Sequence, residues 1–193
     1  MALFSAKNAG LAFMIAAILS IIDAAIAVYI GRDYITPYIV LAVGSVICAL
    51  LYFVYGNKVR TGVISDKPQI LAEYVKIVGI VTIIGAVFAA IFAYMLTGSL
   101  GASLTGLLVG IIFGVIILIM AMKINDGKQT TGDKLIWIIL LIAFVILLLA
   151  SILEIISGIV TITGIFSGIC HLIIYSFMIL LLIDEDVKSA MGI

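Results

Sequence analysis

The chain has 193 residues, of which 66% are hydrophobic and only 10% charged, with ten bases, ten acids and no net charge. A water-soluble domain carries about 25% charged residues, so a solvated surface is mostly missing and there is no room for a soluble catalytic domain. No basic stripe exists that could track phosphates, which argues against nucleic acid and leaves the lipid bilayer as the expected surrounding.

Windows of about 20 apolar residues mark the spans. The first four are Asn8–Ile30, Thr36–Tyr55, Ile70–Leu96 and Ser103–Met122. An unbroken apolar region then runs from Leu135 to Ile183. As one helix it would be roughly 70 Å long, more than twice the ~30 Å hydrocarbon core, so it must fold back once. The turn is expected at Thr161-Ile162-Thr163-Gly164, because glycine ends helices and threonine favours turns. A fifth span near Leu135–Val160 and a sixth near Ile165–Ile183 result. Lys7, the following apolar run and Ala25-Ile26-Ala27 mimic a cleavable leader. The run nevertheless carries Asp23 and is long enough to span, and its removal would leave an odd number of helices, so it is read as a retained first span.

The loops alternate in charge. Lys58, Arg60 and Lys67 lie between the second and third spans, and Lys123, Lys128 and Lys134 between the fourth and fifth. Lys7, Lys76 and Lys188 fall on the same side, and Arg32 is the one base on the other. Positive residues stay on the cytoplasmic side, so the expected location is the cell membrane, multi-pass, with both termini cytoplasmic. Tyr52, Tyr55, Tyr74 and Trp137 are read as anchors at the inner interface, and Tyr29, Tyr34, Tyr38 and Tyr94 at the outer one. The acidic run Asp184-Glu185-Asp186 after the last span is read as a solvated tail.

A period of about 65 residues recurs: Lys58, Lys123 and Lys188 each follow an even span. Thr97-Gly98 and Thr163-Gly164 end odd spans, and Asp66-Lys67 and Asp133-Lys134 preface the third and fifth, where each Asp can cap a helix. The predicted fold is therefore an all-α integral membrane protein. Its six transmembrane helices form three tandem helical hairpins, near 6–60, 66–125 and 133–190, within a single domain over 1–193. The even spans share a seam of small residues: Gly44 and Cys48, then Gly106, Gly110 and Gly114, then Gly164 and Gly168. Small residues four apart let helix backbones approach closely. The seam is expected to pack within the bundle, with a homo-oligomer or another membrane protein as the alternative partner.

Three ionisable residues lie inside spans: Asp23, Glu154 and His171. Such groups are costly in hydrocarbon and mark function or a specific clasp. Counting from the outer turns places all three at roughly 12–15 Å below the outer tips, and Glu154 and His171 belong to adjacent antiparallel helices. Asp23 shares a stripe with Ala12, Ala16, Ser20 and Ala27, opposite a lipid-like face of Leu11, Ile15, Ile18 and Ile22. Glu154 continues Ala143, Leu147 and Ala150, while His171 is flanked at four-residue steps by Ser167 and Tyr175. A Glu–His pair sharing one proton avoids isolating a charge in low dielectric. It suits either a proton relay or a polar clasp that sets the register of the last hairpin.

Enzyme readings are weaker. Ser167, His171 and Glu154 invite a triad, and Gly164-x-x-Ser167-Gly168 resembles part of the intramembrane rhomboid protease pattern, but rhomboid Ser and His come from different helices. One His and scattered acids supply no metal-ligand spacing. Cys48 and Cys170 read as apolar packing residues. Size and span count resemble the substrate-binding subunits of energy-coupling-factor vitamin transporters, and three repeated hairpins resemble mitochondrial carriers. The carriers' proline-acidic-basic signatures are missing, since Pro37 and Pro68 are the only prolines. The expectation is a small transporter or channel without catalytic residues, metal or cofactor, in which Asp23, Glu154 and His171 handle protons or cations. The alternative is a non-catalytic subunit of a larger membrane complex.

Overall fold

A computed structural model describes residues 5–124, 126, 131–157 and 162–193. The described chain is helical: α1 (Ala6–Ile30), α2 (Ile35–Arg60), α3 (Lys67–Thr97), α4 (Leu100–Ile124), α5 (Thr131–Ser157), α6 (Ile162–Ile183) and a short α7 (Glu185–Ala190). A 3-10 turn, Arg32–Tyr34, joins α1 to α2. Six of these helices are long and apolar enough to cross a bilayer.

Boundaries follow local chemistry. Ser5 caps α1 by accepting from the Asn8 amide at 3.3 Å, and Asp66 caps α3 by accepting from the Gln69 amide at 3.1 Å, with Pro68 in the first turn. Gly98 ends α3 in the left-handed conformation with φ of 66°, which glycine adopts without a Cβ penalty. Asp133 departs from the expected cap: α5 starts two residues earlier, at Thr131, so Asp133 sits buried in the first turn. Three residues of the expected turn at Thr161–Gly164 are helical instead, since α6 begins at Ile162. Thr161 and Lys128 lie outside the described residues, as do the surroundings of Thr163 and Gly164.

The strongest packing pairs α1 with α2, α3 with α4 and α5 with α6; α2 also packs on α3, and α1 on α6. α4 and α5 barely touch, so one side of the bundle is open. Close approaches occur where glycine removes a side chain. A Cβ on Gly10 would lie 2.6 Å from the Gly56 carbonyl oxygen, and one on Gly56 2.7 Å from that of Gly10, which marks the α1–α2 crossing. Gly79 and Gly114 meet in the same reciprocal way at 3.0 and 2.9 Å between α3 and α4. Gly110 packs on Ala86, Gly44 on the Phe88 ring, and Gly168 on Ile155 and the Ser151 carbonyl. Gly106 differs from the expected seam, since nothing among the described residues opposes it within 4 Å.

The interface anchors also divide. Tyr29, Tyr34 and Tyr94 are exposed, as a belt requires. Tyr55 and Tyr74 are only 2% and 4% exposed and belong to the core. They form an aromatic cluster with Phe13, Tyr52 and Phe144, at centroid separations of 5.0–6.2 Å. Tyr55 donates to the Ile70 carbonyl at 2.8 Å, which is why this ring can be buried without leaving a polar orphan.

The acidic tail is docked rather than solvated. Asp184 caps α7, and Val187 and Met191 are fully buried. Lys67 at the start of α3 reaches Asp184 and Asp186, each at 2.8 Å. Trp137 donates its indole N–H to the Leu182 carbonyl at 2.7 Å, tying α5 to the same corner.

Two expectations follow for stability. Gly114→Leu should lower the melting temperature in detergent, by an overpacking cost of about 1–3 kcal/mol, whereas Gly106→Leu should leave it unchanged. The Lys67 hydrogen bond holds the Asp184 carboxyl below its ordinary value. A depressed carboxylate contributes stability above its unfolded value, and that contribution disappears as pH falls through the folded one, here below about pH 4. Emission from Trp137, the single tryptophan, should report this loss as the α6–α7 corner loosens, and Lys67→Met should abolish its pH dependence.

Candidate functional site

α5 and α6 are antiparallel neighbours held close by Gly168, and this places Glu154 opposite His171. Glu154 Oε2 and His171 Nδ1 lie 2.8 Å apart, at hydrogen-bonding distance. Both side chains are about one-third exposed, at 35% and 33%. One turn further along α6, the Tyr175 ring stacks on the imidazole at 5.7 Å between centroids. The Glu–His pair and its tyrosine are therefore assembled as their spacing predicts.

The remaining candidates are placed differently. Ser167 is half-buried and forms no hydrogen bond to His171 or Glu154 among the described residues. Sharing one face four residues from His171 does not bring the hydroxyl onto the imidazole, because Nδ1 is turned toward α5. Asp23 is exposed and does not line the cavity beside His171. It lines an open groove of about 450 Å³ with Ser20 of α1, Ser45, Cys48 and Tyr52 of α2, and Gly85 and Phe88 of α3. The common depth inferred from turn counting thus does not make a three-residue cluster, since depth fixes position along the bundle axis and not around it. On α1, Ala12 and Ala16 are buried and Leu11, Ile15, Ile18 and Ile22 exposed as expected, but Ser20 and Asp23 of the inward stripe are exposed. On α5 the packed stripe is Leu140, Phe144 and Ser151, and Leu147 and Ala150 are exposed.

A second cavity, of about 110 Å³, lies beside His171. Phe13, Ala16 and Ser20 of α1, Tyr52 of α2, Tyr74 of α3, and His171 and Tyr175 of α6 surround it. Ser20 and Tyr52 line both this cavity and the Asp23 groove. Hydroxyls can donate and accept at once, and those of Ser20 and Tyr52 are the polar groups common to the two linings. The contributions of Tyr52 and Tyr74 escaped the sequence reading, which placed them at the interface. The available signal was Glu73 and Lys76, which pair at 3.6 Å and stay partly exposed while Tyr74 between them is buried.

Among the described residues, no group of three or more His, Cys, Asp or Glu side chains could hold a metal ion. Cys48 and Cys170 are free thiols on different helices. The chain matches no family model, and no curated protein or solved structure is significantly similar to it.

Proposed function

We propose that this polytopic membrane protein moves or senses protons, or small cations, along the polar passage from Asp23 through Ser20, Tyr52 and Tyr74 to Glu154 and His171. The observation that carries this reading is the 2.8 Å contact of a carboxyl and an imidazole within an apolar span, with the imidazole opening onto a hydroxyl-lined cavity. An intramembrane ionisable pair is costly unless each member stabilises the other. A single proton shared between them keeps the pair neutral overall, and the adjoining tyrosines supply donors and acceptors for its transfer. The scarcity of other polar groups in the spans disfavours large solutes such as sugars. No catalytic residue, cofactor or metal enters this reading.

The charge bias supports a location in the cell membrane with both termini cytoplasmic, and the α1–α2, α3–α4 and α5–α6 pairings support three tandem hairpins within a single domain. A second reading, a non-catalytic subunit packed into a larger complex or a homo-oligomer, is favoured by α4, whose main contact is α3 alone. Its outward face carries Leu104, Leu108 and Ile112.

Protein reconstituted in liposomes with an internal pH-sensitive dye should acidify the lumen under an imposed proton gradient. Glu154→Gln and His171→Ala should each reduce that rate at least tenfold, and Asp23→Asn should reduce it too. A silent wild-type protein with correctly folded variants would favour the subunit reading. Orientation is tested separately: a cysteine introduced at Ser65 should be protected from an impermeant maleimide in intact cells, and one at Ser99 labelled.

A further inference from the structure

The open side of the bundle, between α4 and α5, holds an apolar cleft of about 470 Å³. Phe113 and Ile117 of α4 form one wall, and Ala143 and Phe144 of α5 the other. Its inner end is different in character. Tyr52, Tyr74 and Tyr175 line the cleft and also the small cavity beside His171, so these three rings separate the two spaces. None of the three hydroxyls hydrogen-bonds to a described residue, and none is fully enclosed, so each is left open to the spaces that its ring lines. Tyr55, in the same aromatic cluster, differs in that its hydroxyl is bonded to the Ile70 carbonyl.

We propose that this cleft is a binding site for an uncharged lipophile entering sideways from the bilayer, with an oxygen head (a carbonyl or hydroxyl) against the three tyrosines and its apolar body between α4 and α5. The cleft has an apolar body and a few convergent polar groups, as small-molecule sites have. No Lys, Arg, Asp or Glu lines it, so nothing there would neutralise a charged head. Hydroxyls serve a carbonyl as donors and an alcohol as donors or acceptors. A partner helix is too large: with a diameter of about 10 Å it would fill 470 Å³ within roughly one turn. The site adjoins the proton passage but does not depend on its activity.

The test uses the full chain in lipid nanodiscs with two photoreactive probes, a diazirine-bearing hexadecanol and the hexadecane of the same design lacking the hydroxyl. Crosslinks are mapped by mass spectrometry. The alcohol should label Phe113, Ile117 and Phe144 at least threefold more than the hydrocarbon does, while exposed positions such as Ile18 and Leu108 should not discriminate. Tyr74→Phe should erase that preference without erasing hydrocarbon labelling. Should Tyr74→Phe fail to fold, Ala143→Phe, which fills the cleft from its wall, should suppress labelling by both probes at these positions. Equal labelling by the two probes, or a preference that survives both substitutions, would overturn the proposal. So would a co-purifying membrane protein that alone shields the cleft. Proton flux can fail in the liposome assay while this selectivity persists, and the reverse also holds.

Discussion

Hydrocarbon offers no hydrogen-bonding partner, so the backbone polar groups of an apolar span must be satisfied by the chain itself, and unpaired side-chain polar groups there are costly. For the backbone, helices meet this demand locally, and the result is six long helices with short connections. For side chains the demand is met only by a neighbour, and the solutions used here are few. Threonine and serine hydroxyls return to carbonyls in their own helix, as Thr82 does to Val78 at 2.8 Å. Tyr55 crosses to Ile70, Trp137 to Leu182, and Glu154 to His171. Each of these last three joins different helices, so the polar groups that look most expensive also set how the helices are arranged.

Apolar contact between helices has little solvent-driven advantage in lipid, and close packing must supply it instead. The glycine crossings of α1 with α2 and α3 with α4 do this, with backbone nearly touching backbone. At α5 and α6, Gly168 brings the helices close enough for a carboxyl to reach an imidazole. Where such a crossing is missing, between α4 and α5, the bundle opens. The His171 cavity and the apolar cleft meet at Tyr52, Tyr74 and Tyr175, so a ligand in the cleft would touch the rings that wall that cavity.

The number of spans, their approximate limits, the lipid face of α1 and the Glu154–His171 contact were legible in the primary structure. Each depends on hydropathy, helical period or the adjacency of consecutive helices, which are properties of short stretches of chain. The misplacements share a different origin. Asp23 opens into another groove because rotation about the bundle axis depends on how α1 sits between α2 and α6. Tyr55 and Tyr74 look like interface anchors by position and turn out to be core. Gly10, Gly56 and Gly79 were overlooked because a single glycine carries no signature of what it faces. The acidic tail looked solvated because its partner, Lys67, is more than a hundred residues away in the chain.

By itself, then, the order of residues determined that this protein is a bundle of apolar helices with one carboxyl–imidazole contact within its last pair, since burial period and neighbouring helices suffice for both. Only the tertiary structure decided that Asp23 opens into another groove, that three tyrosines divide a polar cavity from an apolar cleft, and that α4 and α5 leave a side open. Those features arise from the rotation and crossing of non-adjacent helices, which depend on packing among residues far apart in the chain.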